Sequence, residues 1–143
     1  LNSFVGNPAV DAYSIDRGLT WTTFGTLNFR PAAIAYGNGR WVAVARVDRG
    51  AGQAAWSTDG RNWTKIFTGF EGSRWTSIAF GGGYFVAMSS NLGDVPNSMV
   101  SVDGVNWEAG AAPSTMAWGG IVYGDGKFVS VPSGDYDFGV CYP

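Results

Sequence analysis

Short apolar runs alternate with turn-forming residues along the chain. Ile78–Phe80 is one apolar run, Gly81–Gly83 a tight turn, and Phe85–Met88 a second apolar run. Such runs, bounded by glycine, are typical of β-strands joined by hairpins. No segment has the 3.6-residue period of an amphipathic helix. The pattern therefore predicts an all-β chain.

The hairpin pattern occurs three times, and its copies are Ala33–Val44, Ser77–Met88 and Gly120–Val131. Ile34 and Ile78 are 44 residues apart, and Ile78 and Ile121 are 43 apart. A period of about 43 residues is near the length of a four-stranded propeller blade. The sequence predicts a β-propeller, or a propeller-like arc, of four-stranded antiparallel blades.

A second marker, a polar turn that ends in tryptophan, repeats with nearly the same period. Asp hydrogen-bonds nearby backbone amides, and Gly takes a positive φ without a Cβ clash. Each copy is predicted to be a hairpin corner between the third and fourth strands, pinned by the aspartate and covered by the tryptophan. The corner residues are Ser14, Asp16, Gly18 and Trp21; Ser57, Asp59, Gly60 and Trp63; and Ser101, Asp103, Gly104 and Trp107.

The first and last repeats are incomplete. The chain opens with a third and a fourth strand (Asp11–Ile15 and Thr20–Phe24) and closes with a first, a second and part of a third (Ile121–Tyr123, Phe128–Val131 and Phe138–Tyr142). One repeat domain, 1–143, is predicted, divided into a partial blade 1–29, blades 30–73 and 74–116, and a partial blade 117–143.

The partial blades need completion. A ring of three blades would be tighter than the roughly four to eight seen in propellers. Either the chain, which begins with Leu1, is part of a longer polypeptide, or neighbours in a homo-oligomer complete the partial blades. Two chains that share strands would make six blades.

The polar turn resembles the Asp-box, Ser-x-Asp-x-Gly-x-Thr-Trp, of sialidases and other Asp-box propellers. Ser14–Trp21 matches every fixed position, whereas the two later copies are one residue shorter, with Asn62 and Asn106 in place of Thr. With the Ile-Ala-Tyr-Gly hairpin, these repeats also resemble those of bacteriophage tail and bacterial surface proteins. The resemblance implies structural corners away from the ligand face, and a virion or extracellular location.

Composition excludes several classes of function. The chain has 143 residues, with 9 Lys and Arg against 11 Asp and Glu and no basic cluster, which disfavours binding to nucleic acid. It has no histidine and a single cysteine, Cys141, so an intrachain disulfide and Ser-His-Asp or Cys-His catalysis are excluded. No apolar run is long enough to span a membrane. No catalytic residue, metal or cofactor is predicted.

One segment suggests a glycosidase. Phe29-Arg30-Pro31 is similar to the Phe-Arg-Ile-Pro motif of sialidases, whose arginine binds the sialic acid carboxylate. A sialidase also needs a Tyr–Glu pair and further arginines, and the only glutamates are Glu71 and Glu108. A fragment of an Asp-box glycoside hydrolase is therefore the alternative hypothesis.

Aromatic residues offer a candidate sugar-binding surface. Trp75 and Trp118 stand three residues before two of the inner strands, and Arg30 and Arg74 are close to that position in sequence. Sugars stack on exposed aromatic rings beside polar groups, so these four residues are candidate ligand contacts. The alternative is that both tryptophans belong to the core.

Three loops vary in sequence and should project from one edge, because they join equivalent strands: Ala45–Gln53, Ser89–Asn97 and Pro132–Asp137. Asp135 and Asp137 could be calcium ligands or part of a polar loop; we predict no metal. The candidate polar contacts in these loops are Arg46, Arg49, Asn91, Asp94 and Asp135.

The sequence predicts a non-enzymatic structural or receptor-binding module that binds a glycan or a protein. A purely architectural subunit, which pairs with neighbours through exposed strand edges, is a further alternative.

Overall fold

The computed structural model of the chain describes residues 11–24, 31–46, 51–91, 96–113 and 116–133. All regular structure in these residues is β, as the sequence predicts. The strands are β1 (Asp11–Tyr13), β2 (Thr22–Phe24), β3 (Pro31–Gly37), β4 (Arg40–Ala45), β5 (Ala51–Ser57), β6 (Thr64–Glu71), β7 (Trp75–Gly81), β8 (Tyr84–Ser89), β9 (Ser98–Ser101), β10 (Glu108–Ala109), β11 (Trp118–Gly124) and β12 (Lys127–Pro132).

These strands form four antiparallel sheets. Two have four strands, in the orders β3-β4-β5-β6 and β7-β8-β9-β10, and two have two strands, β1-β2 and β11-β12. Tyr36 pairs with Trp41 at the same place in its sheet as Phe80 with Phe85. The predicted succession of four strands per repeat is therefore confirmed for both complete repeats, and each end of the chain carries a two-stranded sheet.

The first two strands of each repeat turn tightly because the turn residues accept a left-handed backbone. Asn38 and Gly39 have φ values of 48° and 74°, and Asp125 and Gly126 have 49° and 74°. Two successive positive φ values are typical of the type I′ turn, whose twist matches that of paired strands. Asn, Asp and Gly tolerate this backbone better than other residues.

Neighbouring sheets pack through their inner strands β3, β7 and β11. The ring of Phe80 on β7 covers Gly37 on β3, where a Cβ would lie 2.1 Å from the ring Cγ. In the same way the ring of Tyr123 on β11 covers Gly81 on β7, where a Cβ would lie 1.9 Å away. The sheets that contain β7 and β11 thus each place an aromatic ring, the knob, on a glycine, the socket, of the sheet before them.

Successive sheets also have the same orientation, with hairpins and polar turns at one edge of the molecule. The Asn38 side chain donates to the carbonyl of Val102 at 2.8 Å, and Arg40 donates to the carbonyl of Asp103 at 2.8 Å. The hairpin of one sheet therefore meets the polar turn of the next. We call this edge of the molecule the corner end and the opposite edge the loop end.

The main core lies between the two four-stranded sheets. Apolar side chains from both sheets fill this space. Its buried members are Val42, Val44, Ala54, Trp75, Ile78, Phe85, Ala87 and Met99.

The structure corrects several predicted boundaries. β4 reaches Ala45 and β5 begins at Ala51, so the predicted loop Ala45–Gln53 is too long. Each inner strand starts with a register shift, as between Trp75 and Ser77, which the sequence pattern did not indicate. The predicted strand at Phe138–Tyr142 lies outside the described residues.

Candidate functional site

The three polar turns are hydrogen-bonded in the same way. Ser57 donates its hydroxyl to Asp59 at 2.8 Å and accepts the amide of Gly60 at 2.9 Å. Asp59 then accepts the amides of Arg61 and Asn62, each at 2.8 Å. Ser101 and Asp103 repeat these contacts in the next sheet, and Ser14 and Asp16 form the corresponding corner of the first. The predicted role of the aspartate as an anchor for backbone amides is seen in the hydrogen bonds themselves.

The long and short copies of the turn use different side chains to make the same hydrogen bond to the aspartate. In the first copy the Thr20 hydroxyl donates to the second oxygen of Asp16. In the shorter copies the amide groups of Asn62 and Asn106 donate to the equivalent oxygens of Asp59 and Asp103, both at 2.7 Å. Both oxygens of each carboxylate therefore have a partner within their own turn.

These hydrogen bonds keep the carboxylates ionised. Donation from the Thr20 side chain and then its amide lowers the pKa of Asp16 from 3.8 to about 2. The amides of Asn62 and Arg61 lower the pKa of Asp59 well below its ordinary value. Burial raises the pKa of Asp103, but the amides of Asn106 and Val105 outweigh it and the net shift is downward. None of the three is suited to donate a proton as a general acid near neutral pH.

The corner tryptophans differ in burial. The indole N–H of Trp21 donates to the carbonyl of Gly18 at 3.1 Å, and that of Trp63 donates to Gly60 at 3.2 Å. Trp107 packs against the main core, whereas Trp21 is 64% exposed. The predicted covering role applies to the complete repeats and only weakly to the first, of which the described residues form two strands.

Several candidate ligand contacts meet at the loop end. Arg46 and Arg74 lie opposite each other in an antiparallel bridge between two sheets. Asn91 accepts the amide of Arg74 at 2.7 Å, and Thr76, two residues after Arg74, donates to the carbonyl of Trp118 at 2.6 Å. We call Arg46, Arg74, Asn91 and Trp118 the loop-end face. It combines two guanidinium groups with a partly exposed indole.

Asn91 has a structural role that the sequence did not indicate. Its side chain accepts from the Ser89 hydroxyl at 3.0 Å and donates to the carbonyl of Gly72 at 2.6 Å. Its own amide donates to Ser89 at 3.1 Å, as that of Asp59 does to Ser57. The Ser-x-Asn spacing at residues 89–91, which matches the start of the polar turns, is the signal that could have revealed this clamp.

The structure separates the two candidate tryptophans. Trp75 is fully buried and contacts Phe70 edge-on, with ring centroids 6.2 Å apart. It has no face for a sugar, so the expectation of an exposed platform at Trp75 is corrected, because the two four-stranded sheets close over it. Trp118 is partly exposed, and its indole N–H donates to the carbonyl of Pro113 at 3.3 Å.

The remaining candidates cannot be placed. Arg30, Arg49, Asp94 and Asp135 lie outside the described residues. Within the part of the chain that the structure describes, no group of three acidic, cysteine or histidine side chains could hold a metal ion. Nor do the described ranges include a helix long and apolar enough to cross a membrane.

A cavity that the sequence did not predict lies between β1-β2 and the β3-β6 sheet. Its volume is about 750 Å³. Tyr13, Ile34, Trp41, Trp63 and Arg61 are among its lining residues. The Arg61 guanidinium lies 4.5 Å from the centroid of the Tyr13 ring and so holds β1 against the neighbouring corner. The cavity lies beside β1-β2, which the sequence predicted as the third and fourth strands of the first repeat.

Comparison with known proteins gives no family assignment. No protein-family model matches the chain, and no curated protein matches it.

Proposed function

We propose that this chain is a non-enzymatic structural and receptor-binding module whose loop-end face binds an anionic glycan or an acidic protein surface. The observation that carries the proposal is the meeting of Arg46 and Arg74 across two sheets, where Thr76, two residues after Arg74, donates to the carbonyl of Trp118. Guanidinium groups recognise carboxylates, and an indole face stacks on sugar C–H groups.

The positions and contacts of these described acidic residues support binding rather than catalysis. Asp16, Asp59 and Asp103 are anchored within their turns. Glu71 and Glu108 lie on different four-stranded sheets. Glycoside hydrolysis generally needs two carboxyl groups roughly 5 to 10 Å apart.

The proposed architecture is a propeller of which this chain supplies consecutive blades. Support comes from the two complete four-stranded meanders, from the inner strands that pack side by side, and from the corners that share one end. The resemblance to Asp-box repeats of phage tail and bacterial surface proteins adds the setting, a virion or an extracellular surface.

A glycan array tests the binding proposal. We expect the wild-type chain to bind sialylated or other acidic glycans, and Arg46→Ala and Trp118→Ala to lose most of that signal. Lys127→Ala, which removes a positive charge at the corner end, should bind like the wild type. No binding to acidic glycans or acidic peptides, or equal binding by all variants, would reject the loop-end face.

A turnover assay tests the glycosidase alternative. Turnover of a fluorogenic sialoside that Arg30→Ala abolishes would favour that alternative.

A further inference from the structure

Among the described residues, two sheet faces lack the neighbour that their equivalents have. The sheet of β7 to β10 packs one face against the preceding sheet, through Phe80 on Gly37, and the other against the following sheet, through Tyr123 on Gly81. The open β3-β4 face consists of the exposed side chains of Ile34, Tyr36 and Trp41, which correspond to Ile78, Phe80 and Phe85. The open β11-β12 face consists of Val122, Gly124, Val129 and Val131, which correspond to Ala35, Gly37, Val42 and Val44.

Burial shows how incomplete these faces are. Ile78 is 7% exposed between two sheets, whereas its equivalent Ile34 is 52% exposed. Val42 is fully buried, whereas its equivalent Val129 is 51% exposed. Each open face therefore keeps in contact with water apolar side chains whose equivalents form the core. Burying them against a partner removes apolar surface from water and is therefore favourable.

The knob on the open β3-β4 face is already in its docked arrangement. The rings of Tyr36 and Trp41 are 4.8 Å apart between centroids. The pairs Phe80–Phe85 and Tyr123–Phe128, whose first rings cover glycine sockets, are 4.7 and 4.8 Å apart. A ring held in its bound position pays little conformational entropy on association.

The socket on the open β11-β12 face is vacant. Gly37 and Gly81 each meet an aromatic ring of the next sheet, but a Cβ at Gly124 would meet no described atom within 4 Å. Within the described ranges, Tyr36 is thus a knob without a socket, and Gly124 is a socket without a knob. The same chain carries both halves of a contact that it makes twice internally.

We propose that two copies of this chain associate head to tail, with Tyr36 of one copy seated on Gly124 of the other. The open β11-β12 face of the first copy then packs on the open β3-β4 face of the second. This heterologous contact repeats the geometry of the internal interfaces, and a closed pair would make it twice. Two copies supply six sheets, within the roughly four to eight of known propellers.

The cavity beside β1 indicates how the strands of the two copies pair. It is lined by residues of β1 and β2 and by Ile34 and Trp41 of the open β3-β4 face, and β11-β12 are the first two strands of the last repeat. In the complete sheets Ala43 pairs with Ala55, and Ala87 with Met99. The same register pairs Ser130 of one copy with Ala12 of the other, so that β11-β12 and the other copy's β1-β2 form one four-stranded sheet.

The first test is the mass in solution. Sedimentation equilibrium of the wild-type chain should give twice the mass of one chain at micromolar concentration. Gly124→Ala should weaken the dimer about tenfold to hundredfold, because the added Cβ overlaps the incoming ring. Tyr36→Ala should weaken it as well, and Tyr84→Ala, which truncates an exposed tyrosine outside both open faces, should not. A monomeric wild type, or a dimer that neither Gly124→Ala nor Tyr36→Ala affects, would overturn the proposal.

The second test is directed cross-linking in a Cys141→Ser background. Chains with Ala12→Cys, mixed with chains carrying Ser130→Cys, should form a disulfide-linked pair on oxidation. Chains with Val131→Cys should not link to Ala12→Cys, because neighbouring side chains in a strand point to opposite faces. If residues 138–142 of the same chain occupied the edge of β12 instead, the Ala12→Cys and Ser130→Cys chains would stay unlinked, and the proposal would fail. This test does not involve the loop-end face, so it is independent of receptor binding.

Discussion

At the scale of single residues, the three polar turns hold their aspartate in the same way, although the donor side chains differ. Thr20 in the long copy and Asn62 in a short copy both hold the second oxygen of the aspartate. The serine two residues before the aspartate completes the turn by accepting a glycine amide. Side-chain oxygen atoms thus replace backbone carbonyls as partners for amides that the turn leaves free.

Loss of the corner serine should destabilise the fold. Ser57 is buried, and Ser57→Ala leaves the amide of Gly60 without its acceptor. We expect the free energy of unfolding in urea to fall by about 1–3 kcal/mol. Thr64→Ala, at an exposed position of β6, should change it by less than about 0.5 kcal/mol. Equal effects of the two substitutions would contradict the anchoring role.

The corner carboxylates should make stability depend on pH in acid. Their pKa values are lower in the folded chain than the ordinary 3.8, with that of Asp16 at about 2. Their contribution is therefore fully present above about pH 4 and is lost as the pH falls toward 2 and below. Urea unfolding measured from pH 6 to about pH 2 should show this loss. The loss should be smaller in Asp59→Asn than in Asp125→Asn, which removes the same charge at an exposed hairpin turn; an equal loss in both would contradict the account.

At the scale of strands and turns, much of the fold could be read from the sequence. The apolar runs and glycine turns predicted each hairpin, because side-chain alternation and positive φ leave direct traces in composition. The register shift between Trp75 and Ser77 left no such trace, since it depends on pairing with β8. For the same reason the sequence could not separate buried Trp75 from partly exposed Trp118, which depends on which sheets close over each ring. The clamp at Asn91 and the cavity beside β1 likewise arise only from contacts between distant segments.

The glycine sockets give a matched pair of substitutions. Gly81→Ala places a Cβ 1.9 Å from the Tyr123 ring, whereas Gly124→Ala at the equivalent position meets no described atom within 4 Å. We expect Gly81→Ala to lower the free energy of unfolding by about 1–3 kcal/mol or more. Gly124→Ala should change the unfolding of the monomer by less than about 0.5 kcal/mol. Thermal unfolding at low protein concentration compares them, and similar losses would reject the socket interpretation.

At the scale of the whole molecule, one packing rule accounts for the core, the exposed faces and the loop end. Sheets stack through inner strands, so side chains between two sheets are buried and their equivalents at the ends are exposed. The same stacking brings Arg46 of one sheet to Arg74 of the next. The proposed binding face and the proposed dimer contact are therefore both consequences of how consecutive sheets meet.

Trp75 tests the core between the two complete sheets. Its fully buried ring contacts Phe70. We expect Trp75→Ala to cost about 3–5 kcal/mol of unfolding free energy, as large-to-small changes of buried aromatic residues do. Trp21→Ala, which truncates a largely exposed ring, should cost clearly less. If the two tryptophans were equally costly to remove, the core would not lie where the structure places it.

The packing of consecutive sheets through knobs and sockets can be observed directly by proton NMR. In the Tyr36→Ala variant, which removes the intermolecular knob, the α-protons of Gly37 and Gly81 should show nuclear Overhauser contacts to the rings of Phe80 and Tyr123. Ring currents should also shift both pairs of α-protons upfield, and the α-protons of Gly124 should show neither effect. Absence of ring contacts at Gly37 and Gly81, or the same spectrum for all three glycines, would contradict the account.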